Sequence, residues 1–157
     1  MSQQPPPPQR DAEAPRVLQL PANFDALGAV IDFLSVDKVF GAMPSGQLVT
    51  LVKHQLARRC QVCALRGKVM IGYCGWVLIT KEIGDQWFRG EVGPYGLPAA
   101  PADQADAGAL TIVRIVEPKL VLPLMRECRK LNPGRRVYIR RDYGDRKKPG
   151  RQSYVRA

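Results

Sequence analysis

The spacing of apolar residues changes at Cys60, and that change divides the chain into a helical part and a mainly β part. Phe24, Leu27, Val30, Ile31 and Leu34 recur at three- and four-residue intervals, with Asp25 and Asp32 on the other side. That period predicts an amphipathic helix, and Asn23 just before it is a good cap for the first free backbone N–H groups. A second helix is expected from Ser45, read as its cap, with Leu48, Leu51, Val52 and Leu56 on one face. It ends at Arg58-Arg59, whose charges suit the negative end of the helix dipole.

From Cys60 onward the pattern is β. Gln61 to Leu65, a turn at Arg66-Gly67 and the run Val69 to Ile79 predict a hairpin with a long second strand. Glycine weakens a strand interior, so Gly72 and Gly75 mark a bulge or a close approach by a ligand or another backbone. A short strand over Gln86 to Val92 and a loop over Gly93 to Gly108 are expected next. Leu110 to Val116 reads as a strand, Lys119 to Leu131 as a helix closed by Asn132-Pro133-Gly134, and Arg135 to Arg141 as a returning strand. Gln152 to Arg156 can pair antiparallel with it. The fold class is therefore α+β: a mixed, mostly antiparallel sheet with two N-terminal helices and one later helix packed on it.

Residues 1–22 carry the run Pro5-Pro6-Pro7-Pro8 and little apolar content, which predicts a disordered arm ahead of a domain over residues 23–157. No apolar run reaches the roughly 20 residues of a membrane span, and no secretory leader is legible, so a cytoplasmic protein is expected. The formal net charge is +10, from 24 Lys and Arg against 14 Asp and Glu. From Arg126 to Ala157 there are twelve basic and three acidic residues, a net of 12 − 3 = +9, so the excess sits in the last fifth. Such a field attracts an acidic protein, a nucleic acid or an anionic surface.

Candidate chemistry is sparse. His54 is the sole histidine, on the second helix, and the candidate general base. Cys74 could be an acyl-carrying thiol, though a small buried apolar residue is the ordinary role. Glu91 and Glu117 are acids that could orient a base. Cys60-x-x-Cys63 has ligand spacing but no second pair, and residues three apart in a strand face opposite sides, so no metal site is expected. Tyr138, Tyr143 and Tyr154 interleave with arginines, and Arg136, Tyr138 and Arg140 would share one face of a strand. A solvated, charge-protected edge strand gives the same pattern.

Phe24-Asp25-Ala26-Leu27-Gly28, Pro44 ahead of the second helix, Gly72-Tyr73-Cys74-Gly75-Trp76, Leu110 to Pro118, and Pro133-Gly134-Arg135-Arg136-Val137 through Arg140-Arg141 occur in an order that resembles the toxin-activating lysine acyltransferases. The resemblance runs from about Phe24 to Tyr154. It implies an acetyltransferase-like (GNAT-like) fold, with a fatty-acyl group passing from acyl carrier protein to an internal lysine of a protein substrate, and no cofactor beyond that thioester. It also implies a substrate groove near Phe40, Tyr73 and Trp76, and a partner surface at Arg135, Arg136, Arg140 and Arg141. The family's catalytic histidine and aspartate positions fall on Phe40 and Arg114. Phenylalanine carries no proton and arginine stays charged, so the resemblance implies a divergent or inactive relative. The alternative from another class is a non-catalytic basic module that binds an acidic protein or nucleic acid.

Overall fold

The change of period at Cys60 is a change of layer. The computed structural model describes residues 13–93, 96–140 and 152–156. Helices α1 (Phe24–Ser35) and α2 (Ser45–Ala57) come before the long strands and pack together on one face of the sheet they form. The six strands are β1 (Arg16–Leu18), β2 (Gln61–Arg66), β3 (Val69–Ile79), β4 (Ala107–Ile115), β5 (Arg136–Arg140) and β6 (Gln152–Arg156), and they lie side by side in chain order. All neighbours are antiparallel except β4 and β5, which are parallel and joined through α4 (Val121–Lys130). The expected strand-helix-strand unit and the terminal β5–β6 pair are both present.

Side chains of β3 alternate between two cores. Tyr73, Val77 and Ile79 face the α1–α2 side, whereas Cys74, Trp76 and Leu78 face α4 through Leu120, Leu124 and Cys128. The bulge reading of the β3 glycines holds, and what approaches them closely is side chains, not a backbone. The β3–β4 register shifts between Gly75 and Trp76, so Thr111 is the extra residue of a bulge. A Cβ on Gly75 would collide with the Gln55 side chain, and one on Gly72 would lie 2.9 Å from a Leu124 methyl. Pairing of β4 with β5 stops at Leu110, while β4 runs on to Ile115.

Three expectations need correction. The arm expected to stay disordered to residue 22 is structured at its end: β1 pairs with β2, and the Gln61 amide both accepts from Leu20 N (3.2 Å) and donates to Leu20 O (2.9 Å). A fully buried amide that ties down one residue at both ends outweighs the low apolar content of the segment. Residues 1–12, with the proline run, lie outside the described residues. Helix α2 has Pro44, not Ser45, at its cap position, with no side-chain cap bond. Finally, Gln86 to Val92 is not a strand. The segment ends α3 (Lys81–Phe88), capped by Thr80, whose Ile83, Gly84 and Trp87 face inward at helical spacing. Tyr138 packs so tightly on α3 that a Cβ at Gly84 would meet its ring.

Candidate functional site

The loop after α1 brings together the two positions that the sequence pairs with the family's histidine and aspartate, but what they build is a structural lock. Asp37 Oδ1 accepts from Val39 N (2.8 Å) and Phe40 N (3.2 Å), and its Oδ2 lies 3.5 Å from Arg114 Nε on β4. The Arg114 guanidinium sits 4.1 Å from the centre of the Phe33 ring and donates to the Phe33 carbonyl. Phe40 packs against the α1–α2 core. Every polar group in this corner is partnered, and none is a base facing open space. Asp37, the carboxylate that completes the lock, carried no signal in sequence, because nothing local links it to a residue 77 positions later.

Helix α2 carries an unpartnered group. His54, Leu51, Thr50 and Gln47 of α2, with Val77 of β3 and Leu97 of the loop after α3, line a cavity of about 330 Å³. The Nε2 atom of His54 is buried and has no hydrogen-bond partner among the described residues. Burial pushes its imidazole below the ordinary 6.5, and the nearby Arg58 charge pushes the same way. Both effects favour the neutral imidazole, the form a general base needs, and Nε2 is left without a partner among the described residues.

Beneath His54, the Tyr73 hydroxyl donates to Gln55 Oε1 (3.0 Å), and Gln55 Nε2 donates to Thr111 Oγ1 (2.9 Å) at the bulge. Tyr73 and Gln55 are both fully buried, and burial drives the Tyr73 phenol far above its ordinary range. Tyr73 is therefore a core residue and does not meet substrate from outside. Trp76 projects to the opposite, α4 face, so Phe40 and Trp76 cannot line one groove. The expected substrate groove is split by the sheet itself, because odd and even positions of β3 point to different cores.

The other candidates are structural. Cys74 is buried against Cys128, and the contact with that thiol, together with burial, raises it far out of the reactive range. Cys63 is pushed up to about 12 by burial, and Cys60 is raised as well. Cys60 and Cys63 belong to different cores, and no cluster of metal ligands occurs among the described residues. Glu91 pairs with Arg89 at the surface, and Glu117 with Arg66 (2.6 Å) and Lys119 (3.2 Å), away from His54.

The arginines expected to form one partner surface go separate ways. Arg135 donates to the carbonyls of Ala105 and Ala102, Arg136 lies 3.9 Å from Asp85, and Arg140 reaches over Gly90. Arg141 lies outside the described residues. Arg136, Tyr138 and Arg140 do share a face, as expected, but α3 covers it. Tyr138 is buried and donates to Asp85 Oδ1 (2.7 Å), so it offers no surface for a base to stack on. Nor is β5 an edge, since β6 flanks it.

No family profile matches the sequence, and no curated protein matches it. Among solved structures, the chain is similar to the loading GNATL domain of CurA from Lyngbya majuscula, with a TM-score of 0.55 at 11% identity over 86% of this chain and 70% of that one. The fold is accordingly GNAT-like, in agreement with the α+β class read from the sequence. Among the described residues no helix is long and apolar enough to cross a membrane.

Proposed function

We propose that this chain is a divergent relative of the toxin-activating lysine acyltransferases that moves a fatty-acyl group from an acyl carrier protein thioester to a lysine of a protein substrate, with His54 as the relocated base. The observation that carries this reading is His54, which lines a cavity of about 330 Å³ and whose buried Nε2 has no partner among the described residues. In the step, the His54 imidazole takes one proton from the lysine ammonium and the freed amine attacks the thioester carbonyl. The C–S bond then breaks, and the second amine proton passes to the departing carrier thiolate, leaving the amide and a free thiol. The Thr50 hydroxyl and Gln47 amide line the same cavity and are the side-chain donors available to the developing oxyanion. The GNAT-like fold and the order of motifs from Phe24 to Arg141 support the acyl-transfer class.

A second reading is favoured by one specific observation. The lock of Asp37, Arg114 and Phe33 occupies the positions where the resemblance expects catalytic groups. A chain that kept the fold and lost the reaction would look like this there, and its net +9 over Arg126 to Ala157 would hold an acidic protein or nucleic acid. Incubation with radiolabelled acyl carrier protein thioester and a lysine-bearing acceptor separates the two. Acyl transfer means label on the acceptor that survives hydroxylamine and disappears in His54→Ala. Salt-sensitive carrier binding with no label transferred means the binding module.

A further inference from the structure

At the end of the sheet where β2, β4 and β5 all begin, a second cavity of about 290 Å³ opens on the α4 face. Three guanidinium groups line it: Arg58 and Arg59 from the end of α2, and Arg135 from the start of β5. No carboxylate belongs to the lining. Their hydrogen bonds all go to neutral oxygens. Arg58 donates to Ala100 O (3.0 Å), Arg59 to Gln19 Oε1 (3.2 Å), and Arg135 to Ala105 O (3.0 Å) and Ala102 O (2.8 Å).

Among the described residues, none of the ion pairs involves these three arginines. The nearest acids along the chain, Asp103 and Asp106, stay outside the lining, and Asp106 is taken up by Lys81. Three like charges gathered in one recess repel one another, and no carboxylate among the described residues pairs with them. Their convergence registers on Cys60, whose thiol is raised by burial while Arg58 and Arg135 both pull it down.

Two further features suit a ligand. Arg59 holds a positive φ of 55° just past the end of α2, where glycine is the usual occupant, so a guanidinium is kept here at a conformational cost. Trp76, Leu78 and Leu131 give the same cavity an apolar wall beside the charges.

We propose that this cavity binds a phosphorylated small molecule, with Arg58, Arg59 and Arg135 holding the phosphate oxygens and Trp76 packing on the organic body. A single carboxylate would neutralise one of the three charges, whereas a phosphate monoester or diphosphate neutralises most of them through forked N–H pairs. A recess beside β5, and not the open face of a strand, favours a small ligand over a nucleic acid chain. Binding here does not require acyl transfer at His54, so either assignment can fail alone.

The test is calorimetric titration of the full chain with inorganic phosphate, diphosphate, phenyl phosphate and citrate. The expected result is saturable one-to-one binding of diphosphate and phenyl phosphate, tighter than inorganic phosphate and citrate. Arg59→Gln, an exposed side chain whose loss should leave the fold intact, weakens it by about tenfold or more. Arg135→Gln weakens it similarly wherever circular dichroism shows that the variant folds, and Arg129→Gln on the exposed side of α4 leaves it unchanged. Absence of saturable binding, citrate binding as tightly as diphosphate, or equal weakening by Arg59→Gln and Arg129→Gln would each overturn the assignment.

Discussion

Two corners of the α1–α2 face treat their polar groups in opposite ways. At the lock, Asp37 has two backbone N–H donors and an arginine, and that arginine has a carboxylate, a carbonyl and an aromatic ring. At the His54 cavity, one imidazole nitrogen is buried with no partner among the described residues. A saturated charged cluster holds a loop to a strand and has no capacity left for a substrate. An unpartnered buried nitrogen costs the fold free energy and leaves hydrogen-bonding capacity unused. The contrast teaches that positions singled out by a sequence resemblance can be saturated scaffold while another residue on the same face keeps a nitrogen unpartnered among the described residues.

The comparison breaks most forcefully beneath both corners. Gly75→Val places a side chain against Gln55 and disrupts the link from Tyr73 to Thr111, so a loss of about 3 kcal/mol or more is expected in urea denaturation. Arg114→Ala is next. Removing it strips the half-buried Asp37 of its cation and Phe33 of its stacked group, for a loss of about 1–2 kcal/mol. His54→Ala should leave stability within about 0.5 kcal/mol, because it removes no hydrogen bond of Nε2. Equal losses in these two variants would erase the distinction between lock and site.

A smaller effect separates them by pH. The folded-state pKa of His54 lies below 6.5, so the unfolded chain binds more protons in the window between the two values. The stability contribution is present above pH 6.5, falls as pH drops from there to the folded value, and levels off below it. Urea midpoints measured across that window should slope in the wild type and lose part of the slope in His54→Ala. The smallest effect is a null one. Native thiols should resist maleimide, since all four cysteines are buried, and they should react only on unfolding.

Much of the fold was legible because period reports burial directly. The apolar spacing from Phe24 to Leu34, the long run from Val69 to Ile79 and the strand-helix-strand unit after Leu110 each form the predicted element. The failures share a cause, which is long-range contact. Trp87-Phe88 looks like strand material until Tyr138 is known to sit beneath a helix there. The end of the arm looks unfit to order until Gln61 is seen holding Leu20. His54 was legible as a residue, but its open nitrogen and cavity were not, because Leu97 and Val77 approach it from distant parts of the chain. The arginine cavity was hidden for the same reason, since Arg58 and Arg135 meet only in three dimensions.

The most direct test of the central contrast is acyl transfer by His54→Gln and Arg114→Gln side by side, per folded molecule, with radiolabelled acyl carrier protein thioester and a lysine-bearing acceptor. The account predicts that His54→Gln loses at least about a hundredfold of the wild-type rate, as removal of a general base does, while Arg114→Gln keeps it. Transfer that persists in His54→Gln and collapses in Arg114→Gln would contradict the account and return the chemistry to the corner described here as a lock.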